Sequence, residues 1–187
     1  SAGTGIAIAA VVFVAMKEKT TDKLGNFYSY FVRSCTRILF PIAVVVATVL
    51  AFNGMPMTFE GKDTMTTLQG DTVQVSRGPV AAFTAIKHLG TNGGGFFGAN
   101  SAHPFENPTA LSNFIQMLSI FLIPAALCFT FGRMVGDARQ GWSVITVMFV
   151  LFIAGAWSAT YFEQQGNPMW RELGVNQAQT MDQAGGN

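Results

Sequence analysis

Charged residues are scarce in this 187-residue chain. Asp, Glu, Lys and Arg make up 11% of it and hydrophobic residues 50%, whereas soluble globular domains are about 25% charged. The net charge of +1 provides no global field that would attract nucleic acid. Two cysteines, Cys35 and Cys128, are too few for a disulfide framework or a structural zinc site. These shortages argue against a soluble, disulfide-stabilised or nucleic-acid-binding protein.

The sequence instead contains long segments without any charge. Three of them have 22, 26 and 23 residues, at 38–59, 107–132 and 140–162. Each exceeds the roughly 20 apolar residues that cross the hydrocarbon core of a bilayer. We therefore predict an all-α integral membrane protein with transmembrane helices at 38–59, 108–132 and 142–162.

The first 16 residues form a fourth, shorter apolar run. At about 1.5 Å per residue, a helix of residues 1–16 falls short of a full crossing, and we interpret it as the truncated end of a transmembrane helix. A signal peptide is the less favoured alternative, because no positive charge precedes the run and no small-residue cleavage pattern follows it.

The distribution of Lys and Arg predicts the orientation of these helices. Seven of the eleven basic residues lie in the segments 17–37 and 133–141, which the positive-inside rule assigns to the cytoplasm. The segments 60–107 and 163–187 contain more acidic than basic residues, and we predict that they are extracytoplasmic. Successive helices then alternate between the two sides, as a multi-pass protein of a lipid bilayer requires.

The long outer connection, 60–107, has three parts. Thr and Val alternate partly around Gln69-Gly70-Asp71, which indicates a small hairpin or an irregular loop. An apolar run of about ten residues then begins after Gly78, and we predict a half-helix at 79–89 with Pro79 at its first helical position. A glycine-rich strip without charge follows at 90–98.

This strip is the candidate functional segment. Non-helical backbone at membrane depth is tolerated only where protein or a watery cavity surrounds it. Glycines permit positive φ, so consecutive carbonyls could face one axis and replace part of a cation's hydration shell. The half-helix would direct the partial negative charge of its C-terminus at Thr91 and Asn92, which favours a cation. Since a protonated Lys87 opposes this, we expect its side chain to turn away toward a carboxylate or solvent.

Two local patterns carry less weight. Gly93 to Gly98 matches the dinucleotide fingerprint G-x-G-x-x-G, but it follows a predicted helix instead of a strand, so we do not predict a bound nucleotide. His88 and His103 are too isolated to form a metal site and are interpreted as structural.

The third predicted span contributes further polar residues. Asn107 is the predicted N-cap of this helix, with Pro108 in its first turn. Asn113, Gln116 and Ser119 recur at three-residue spacing and share a face of the helix. That face either lines a cavity or forms hydrogen bonds to other helices, and the sequence leaves both alternatives open.

The run from Ala85 to Thr109, which contains Gly90-Thr91-Asn92-Gly93-Gly94-Gly95 and His103-Pro104-Phe105-Glu106-Asn107-Pro108, closely resembles the KdpA family of bacterial potassium-transporting P-type ATPases. Gly25-Asn26-Phe27, Gly136-Asp137-Ala138-Arg139-Gln140-Gly141 and Gln165-Gly166-Asn167-Pro168 extend the resemblance over essentially the whole chain. In that family, four repeats of helix, pore loop and helix surround one pore. The resemblance implies that this chain supplies roughly the second repeat.

The resemblance also implies a function. Thr91, Asn92, Gly93 and Gly94 would form one of four segments of a potassium filter, mainly through backbone carbonyls. The chain itself would be non-catalytic and bind no nucleotide, because ATP would be hydrolysed on a KdpB-like subunit, with KdpC-like and KdpF-like subunits completing a complex in the bacterial inner membrane. Two alternatives remain: a non-conducting assembly subunit whose glycines only pack helices, and the filter subunit of another potassium uptake system.

Overall fold

The fold is described by a computed structural model that covers residues 1–18, 20, 23–98 and 100–174. It is mostly helical, which confirms the predicted class, with one small hairpin. The elements are α1 (Ala2–Lys17), α2 (Phe27–Ser34), α3 (Phe40–Phe52), β1 (Lys62–Thr66), β2 (Thr72–Ser76), α4 (Val80–Gly90), α5 (Ala110–Met134), α6 (Ala138–Gln165) and α7 (Pro168–Glu172). Lys19 and 175–187, which belong to the predicted cytoplasmic loop and outer segment, lie outside the described residues.

Among the described residues, three helical stretches are long and apolar enough to cross a membrane, in agreement with the number of predicted spans. The first stretch is continuous from Phe27 to Phe52, because a π-helical turn, Cys35–Leu39, joins α2 to α3. The other two begin at Ala110 and Ala138. The shorter apolar helix α1 has 16 residues.

The first of these stretches is displaced from its predicted position at 38–59. The helix begins at Phe27 because the side chain of Asn26 accepts a hydrogen bond from the Ser29 amide at 3.1 Å and so caps it. Residues 27–37, predicted as part of a loop, are therefore helical. The chain leaves the helix after Phe52, and Gly54 adopts a left-handed φ of 97°. A charge-free gap locates the apolar part of a helix but not its capped ends.

The start of α5 also differs from the prediction, and Asn107 is not its N-cap. The N-cap is Thr109, whose side chain accepts from the Ser112 amide at 3.0 Å while the Ser112 hydroxyl accepts from the Thr109 amide at 3.0 Å. This reciprocal capping box satisfies the first amides of the helix. Asn107 instead accepts a hydrogen bond from the Ser112 hydroxyl at 3.0 Å.

The connection 60–107 contains a hairpin followed by a short helix. The strands β1 and β2 are antiparallel, with Lys62 opposite Ser76 and Thr66 opposite Thr72, so the hairpin alternative is the one that forms. The helix α4 matches the predicted half-helix at 79–89 within one residue at each end. Pro79 is its N-cap residue and not its first helical residue.

The chain divides into two compact units, one of residues 1–142 and one that begins at Ser143. In the first unit, α4 packs between α3 and α5. One apolar cluster joins Leu50 of α3 to Ala81 and Ala85 of α4. A second cluster joins Leu89, near the end of α4, to Ile6 of α1 and Ile123 of α5. Packing on three sides fixes where the C-terminus of α4 points.

The second unit consists of the rest of α6 and α7. The large apolar side chains of α6 are exposed on all sides of the helix, as at Val147, Phe149 and Leu151. A helix that is apolar all round is typical of a membrane span or of a segment buried in a larger protein.

Candidate functional site

The candidate strip begins where α4 ends. Gly90 is the last helical residue, and Thr91 closes the helix in a left-handed conformation with φ 49° and ψ 30°. Asn92 follows, and Gly93 and Gly94 both have positive φ, at 67° and 81°. The predicted non-helical strip is therefore present from Thr91 onward, and the four predicted site residues form one continuous, exposed turn of backbone.

The turn borders a cavity of about 410 Å³. The lining combines Thr91 and Asn92 with apolar side chains of neighbouring helices, including Ile6, Leu89 and Ile123. The last residues of α4, Leu89 and Gly90, also line this cavity, and the C-terminus of a helix carries a partial negative charge. The arrangement suits a monovalent cation held by neutral oxygens better than an anion.

Lys87, the charge that opposes a cation here, is neutralised behind the strip. Its ammonium lies 3.1 Å from Oε2 of Glu106 and also donates to the Ser101 hydroxyl. Both side chains of the ion pair are buried, with 5% of Lys87 and 0% of Glu106 exposed. The expectation that Lys87 turns toward a carboxylate is confirmed, and the partner is Glu106.

Hydrogen bonds keep the Glu106 carboxylate ionised. Burial on its own raises the pKa of Glu106. The Phe97 amide, which donates to Oε1 at 2.9 Å, the Lys87 ammonium and the Ser101 hydroxyl together outweigh that effect and lower the pKa below its ordinary value. Glu106 is thus a charged acceptor at neutral pH, with hydrogen bonds to both of its oxygens.

His88 extends this polar cluster to α5. Its Nε2 lies 2.7 Å from Oε1 of Gln116 and 3.2 Å from the Ser101 hydroxyl. Gln116 donates through Nε2 to the Glu106 carbonyl at 2.9 Å, so its Oε1 is the acceptor facing His88 and the proton is on Nε2 of His88. Within the described residues no group of three His, Cys, Asp or Glu side chains could hold a metal ion. The contacts of His88 are those of a structural residue.

The polar face predicted on α5 is only partly realised. Gln116 and Ser119 are buried, whereas Asn113 is exposed. Gln116 forms hydrogen bonds to α4 and to the loop before α5, and Ser119 donates to the Ile115 carbonyl within its own helix at 2.8 Å. For Gln116, the hydrogen-bonding alternative applies.

His103 also has a structural position. Its ring stacks on Phe97 with centroids 4.0 Å apart, and its Nδ1 accepts from the Phe105 amide at 3.1 Å. Phe105 lies against the same Phe97 ring, with centroids 5.9 Å apart. This aromatic contact holds the end of the strip against the loop that leads to α5.

Sequence reasoning missed Asn100 and Glu106 as contacts of the strip, and Ser101 as a partner of Glu106. The Asn100 side chain accepts from the Gly94 amide at 2.7 Å, and Ser101 donates to Glu106 at 3.1 Å. One signal was available, because Glu106 is the only charged residue between Lys87 and Arg133. A lone carboxylate in so long an apolar stretch requires a charged partner, and Lys87 is the nearest in sequence.

Comparison with known proteins shows the family of the chain. The family model described as "Potassium-transporting ATPase A subunit", KdpA, matches residues 1–186. The chain belongs to the KdpA family. It is therefore a membrane protein, and the resemblance seen in the sequence is confirmed.

Three curated relatives carry the name "Potassium-transporting ATPase potassium-binding subunit". The proteins from Flavobacterium psychrophilum and Flavobacterium johnsoniae are 56% and 54% identical, and each alignment covers 95% of this chain and 31% of the relative. The protein from Sorangium cellulosum is 47% identical over 100% of this chain and 34% of its own length. The chain thus spans about a third of the length of the KdpA relatives that it matches.

Proposed function

We propose that the chain is part of the potassium-binding and translocating subunit of an ATP-driven potassium uptake complex. In this proposal, the backbone carbonyls of Thr91, Asn92, Gly93 and Gly94 form one segment of an extracytoplasmic filter. The filter binds dehydrated potassium and passes it to a partner P-type ATPase subunit.

One observation supports the proposal. The half-helix α4 ends in a left-handed turn that contains glycines, and the charges of Lys87 and Glu106 behind this turn balance each other. Gly93 and Gly94 adopt φ values of 67° and 81°, which allow carbonyl directions that ordinary strand or helix backbone does not. The Lys87 charge is matched by Glu106. The strip therefore offers neutral carbonyl oxygens and the negative end of a helix dipole, which is the donor set that potassium filters use.

A single strip cannot encircle an ion, so the proposal requires further segments. The curated relatives are about three times as long as this chain, which leaves room for the other pore-loop repeats that a four-part filter needs. A KdpB-like subunit would hydrolyse ATP, and KdpC-like and KdpF-like subunits would complete the complex. This chain would remain non-catalytic and bind no nucleotide.

The proposed site implies an orientation in the bacterial inner membrane. The segments 17–37 and 133–141 hold most of the basic residues and would face the cytoplasm. The connection at 60–107 and the segment from 163 onward would face outward. The strip then lies on the side from which potassium enters the cell.

Replacing Gly93 with aspartate in the full-length subunit, assembled with its partners, tests this function. The new side chain would add a charge to the strip and strain a residue with φ 67°. If the strip relieves left-handed strain of about 1–2 kcal/mol by turning its carbonyls away from the ion, that free energy is lost from binding, which corresponds to roughly tenfold in affinity. We expect the potassium concentration for half-maximal ATP hydrolysis to rise by at least that factor.

Gly136→Asp is the matched control, since Gly136 is also left-handed, with φ 82°, has open space around it and lies in the opposite loop. It should leave potassium dependence unchanged. Unaltered potassium dependence in assembled Gly93→Asp complexes would contradict the proposed filter and favour a packing role for the strip.

A further inference from the structure

Two backbone amides of the strip donate hydrogen bonds to side chains that follow it in the sequence. The Gly94 amide donates to Oδ1 of Asn100 at 2.7 Å, and the Phe97 amide donates to Oε1 of Glu106 at 2.9 Å. In a trans peptide, the N–H of one residue points opposite to the carbonyl of the residue before it. The carbonyls of Gly93 and Phe96 therefore point away from these two side chains.

The acceptor Glu106 is itself held in place. The second oxygen of Glu106 accepts from Lys87 and from Ser101, each at 3.1 Å, so the carboxylate cannot rotate without breaking a buried bond. Ser101 directly follows Asn100 in the chain. Its hydroxyl contact with Glu106 thus connects Glu106 to the residue next to Asn100.

The backbone at Asn100 and Ser101 is strained. Their φ values are 48° and 71°, in the left-handed region. This region is unfavourable for any residue with a side chain, and the conformation persists only where surrounding contacts stabilise it. Asparagine tolerates this region better than most residues. Since both side chains form hydrogen bonds to or behind the strip, the strain is maintained by the contacts that position the strip.

Gly95 shows how closely the carboxylate approaches the backbone. A Cβ built on Gly95 would lie 2.6 Å from Oε2 and 2.7 Å from Oε1 of Glu106. Only glycine leaves room for the carboxylate here, although the φ of Gly95 is not positive. The Glu106 carboxylate therefore lies close to the strip at Gly95 and at Phe97, the two residues that flank Phe96.

We propose that Asn100 and Glu106 are positioning residues of the filter strip, which set the direction of its carbonyls without contacting the ion. Glu106 is unsuited to be a ligand, because hydrogen bonds occupy both of its oxygens and Lys87 balances its charge. The inference rests on the proposed potassium-binding function. Under this inference, Asn100 and Glu106 contribute to cation selection although neither side chain contacts the ion.

Two double variants of the full-length subunit in its complex separate positioning from charge. Lys87→Met/Glu106→Gln removes both charges and keeps an oxygen that accepts from the Phe97 amide. Lys87→Met/Glu106→Leu removes both charges and keeps only the volume. Neither leaves an unpaired buried charge, so both avoid the strongest cause of misfolding.

Potassium-stimulated and rubidium-stimulated ATP hydrolysis of the assembled complexes are the measurements. We expect Lys87→Met/Glu106→Leu to raise the half-maximal potassium concentration on the order of tenfold, with a smaller change in maximal rate and weaker preference for potassium over rubidium. Lys87→Met/Glu106→Gln should stay within about twofold of the parent, since its hydrogen bond remains. Equal behaviour of the two double variants would overturn the inference, because a purely structural ion pair predicts it.

If the Lys87→Met/Glu106→Leu variant does not assemble, Asn100→Ala tests the positioning role instead. Asn100 is exposed, so this change removes the other acceptor without burying a charge. A raised half-maximal potassium concentration supports the inference, and parental potassium dependence overturns it. Gln74→Ala, in the exposed strand β2, is the control for loss of an amide side chain.

The Gly93→Asp variant distinguishes this inference from the proposed function. If Gly93→Asp leaves potassium dependence unchanged, the filter itself is misplaced and the positioning inference falls with it. If Gly93→Asp weakens potassium dependence while Asn100→Ala and the leucine double variant behave as the parent, the filter stands and only the positioning role is refuted.

Discussion

Two parts of the connection 60–107 contain an ion pair, and the pairs differ in their surroundings. In the hairpin, Arg77 contacts Asp63, and 36% and 34% of these side chains are exposed. Behind the strip, Lys87 contacts Glu106, and the exposed fractions are 5% and 0%. The Asp63–Arg77 pair joins two parts of the hairpin region. Glu106, in contrast, also accepts hydrogen bonds from the Phe97 amide and the Ser101 hydroxyl.

The difference shows that location, not the chemistry of the pair, decides what an ion pair does. Water screens the hairpin pair and can replace either partner, although Asp63 raises the pKa of Arg77 through a hydrogen bond and its charge. The buried pair has no such replacement, so each partner depends on the other. Variants of the two ion pairs and of two glycines test this contrast, and the largest effect is expected at the buried pair.

Breaking the buried pair on one side should have the largest consequence. Glu106→Gln leaves the Lys87 ammonium buried without a counter-charge, which typically costs about 3–5 kcal/mol. We expect a large fall in the yield and thermal stability of the full-length subunit, measured by size-exclusion chromatography and a melting curve in detergent. Adding Lys87→Met to this variant should restore much of the loss. A single variant as stable as the parent would mean that water reaches the pair.

Two left-handed glycines provide the second test, because they share a conformation and differ in position. Gly94 in the strip and Gly70 in the hairpin have φ values of 81° and 92°, and a Cβ at either would meet no atom within 4 Å. Gly94→Ala and Gly70→Ala should each cost roughly 1–2 kcal/mol of left-handed strain, so their melting temperatures should fall alike.

Potassium dependence should separate the two glycine variants. Strain at Gly94 acts on the proposed ligands, and we expect a severalfold rise in the half-maximal potassium concentration for ATP hydrolysis by Gly94→Ala complexes. Gly70→Ala complexes should match the parent. If both variants change potassium dependence equally, stability and not filter geometry would be the cause.

The same contrast explains what the sequence could predict. The spans follow from charge-free length, and the strip follows from glycines after a short apolar run, because both are local properties of the chain. The start at Phe27 depends on the Asn26 cap and the start at Ala110 on a Thr109–Ser112 capping box. Hydropathy does not register such caps, so the predicted ends were displaced.

The contacts behind the strip were less accessible to sequence reasoning. Asn100 and Glu106 meet the strip from 6 and 9 residues away, at the Gly94 and Phe97 amides, and no periodicity marks a loop that folds back on itself. His88 and Gln116 are separated by 28 residues. Their meeting depends on how α4 packs against α5. The lone charge at 106 was the one local sign of a buried partner.

The smallest effect is expected for the hairpin pair. Arg77→Gln and Asp63→Asn each remove one partner of an ion pair that is partly exposed to water, and the freed partner can be hydrated. We expect melting temperatures close to the parent and unchanged potassium dependence, measured on the same complexes as the Glu106 variants. Arg77 also lies 3.8 Å from Glu60, so Asp63→Asn leaves it a second carboxylate and should be the milder change. A loss of complex assembly in either variant, with the subunit itself still stable, would instead place the hairpin in contact with a partner, since hydration cannot compensate for a charge pair that a second protein covers.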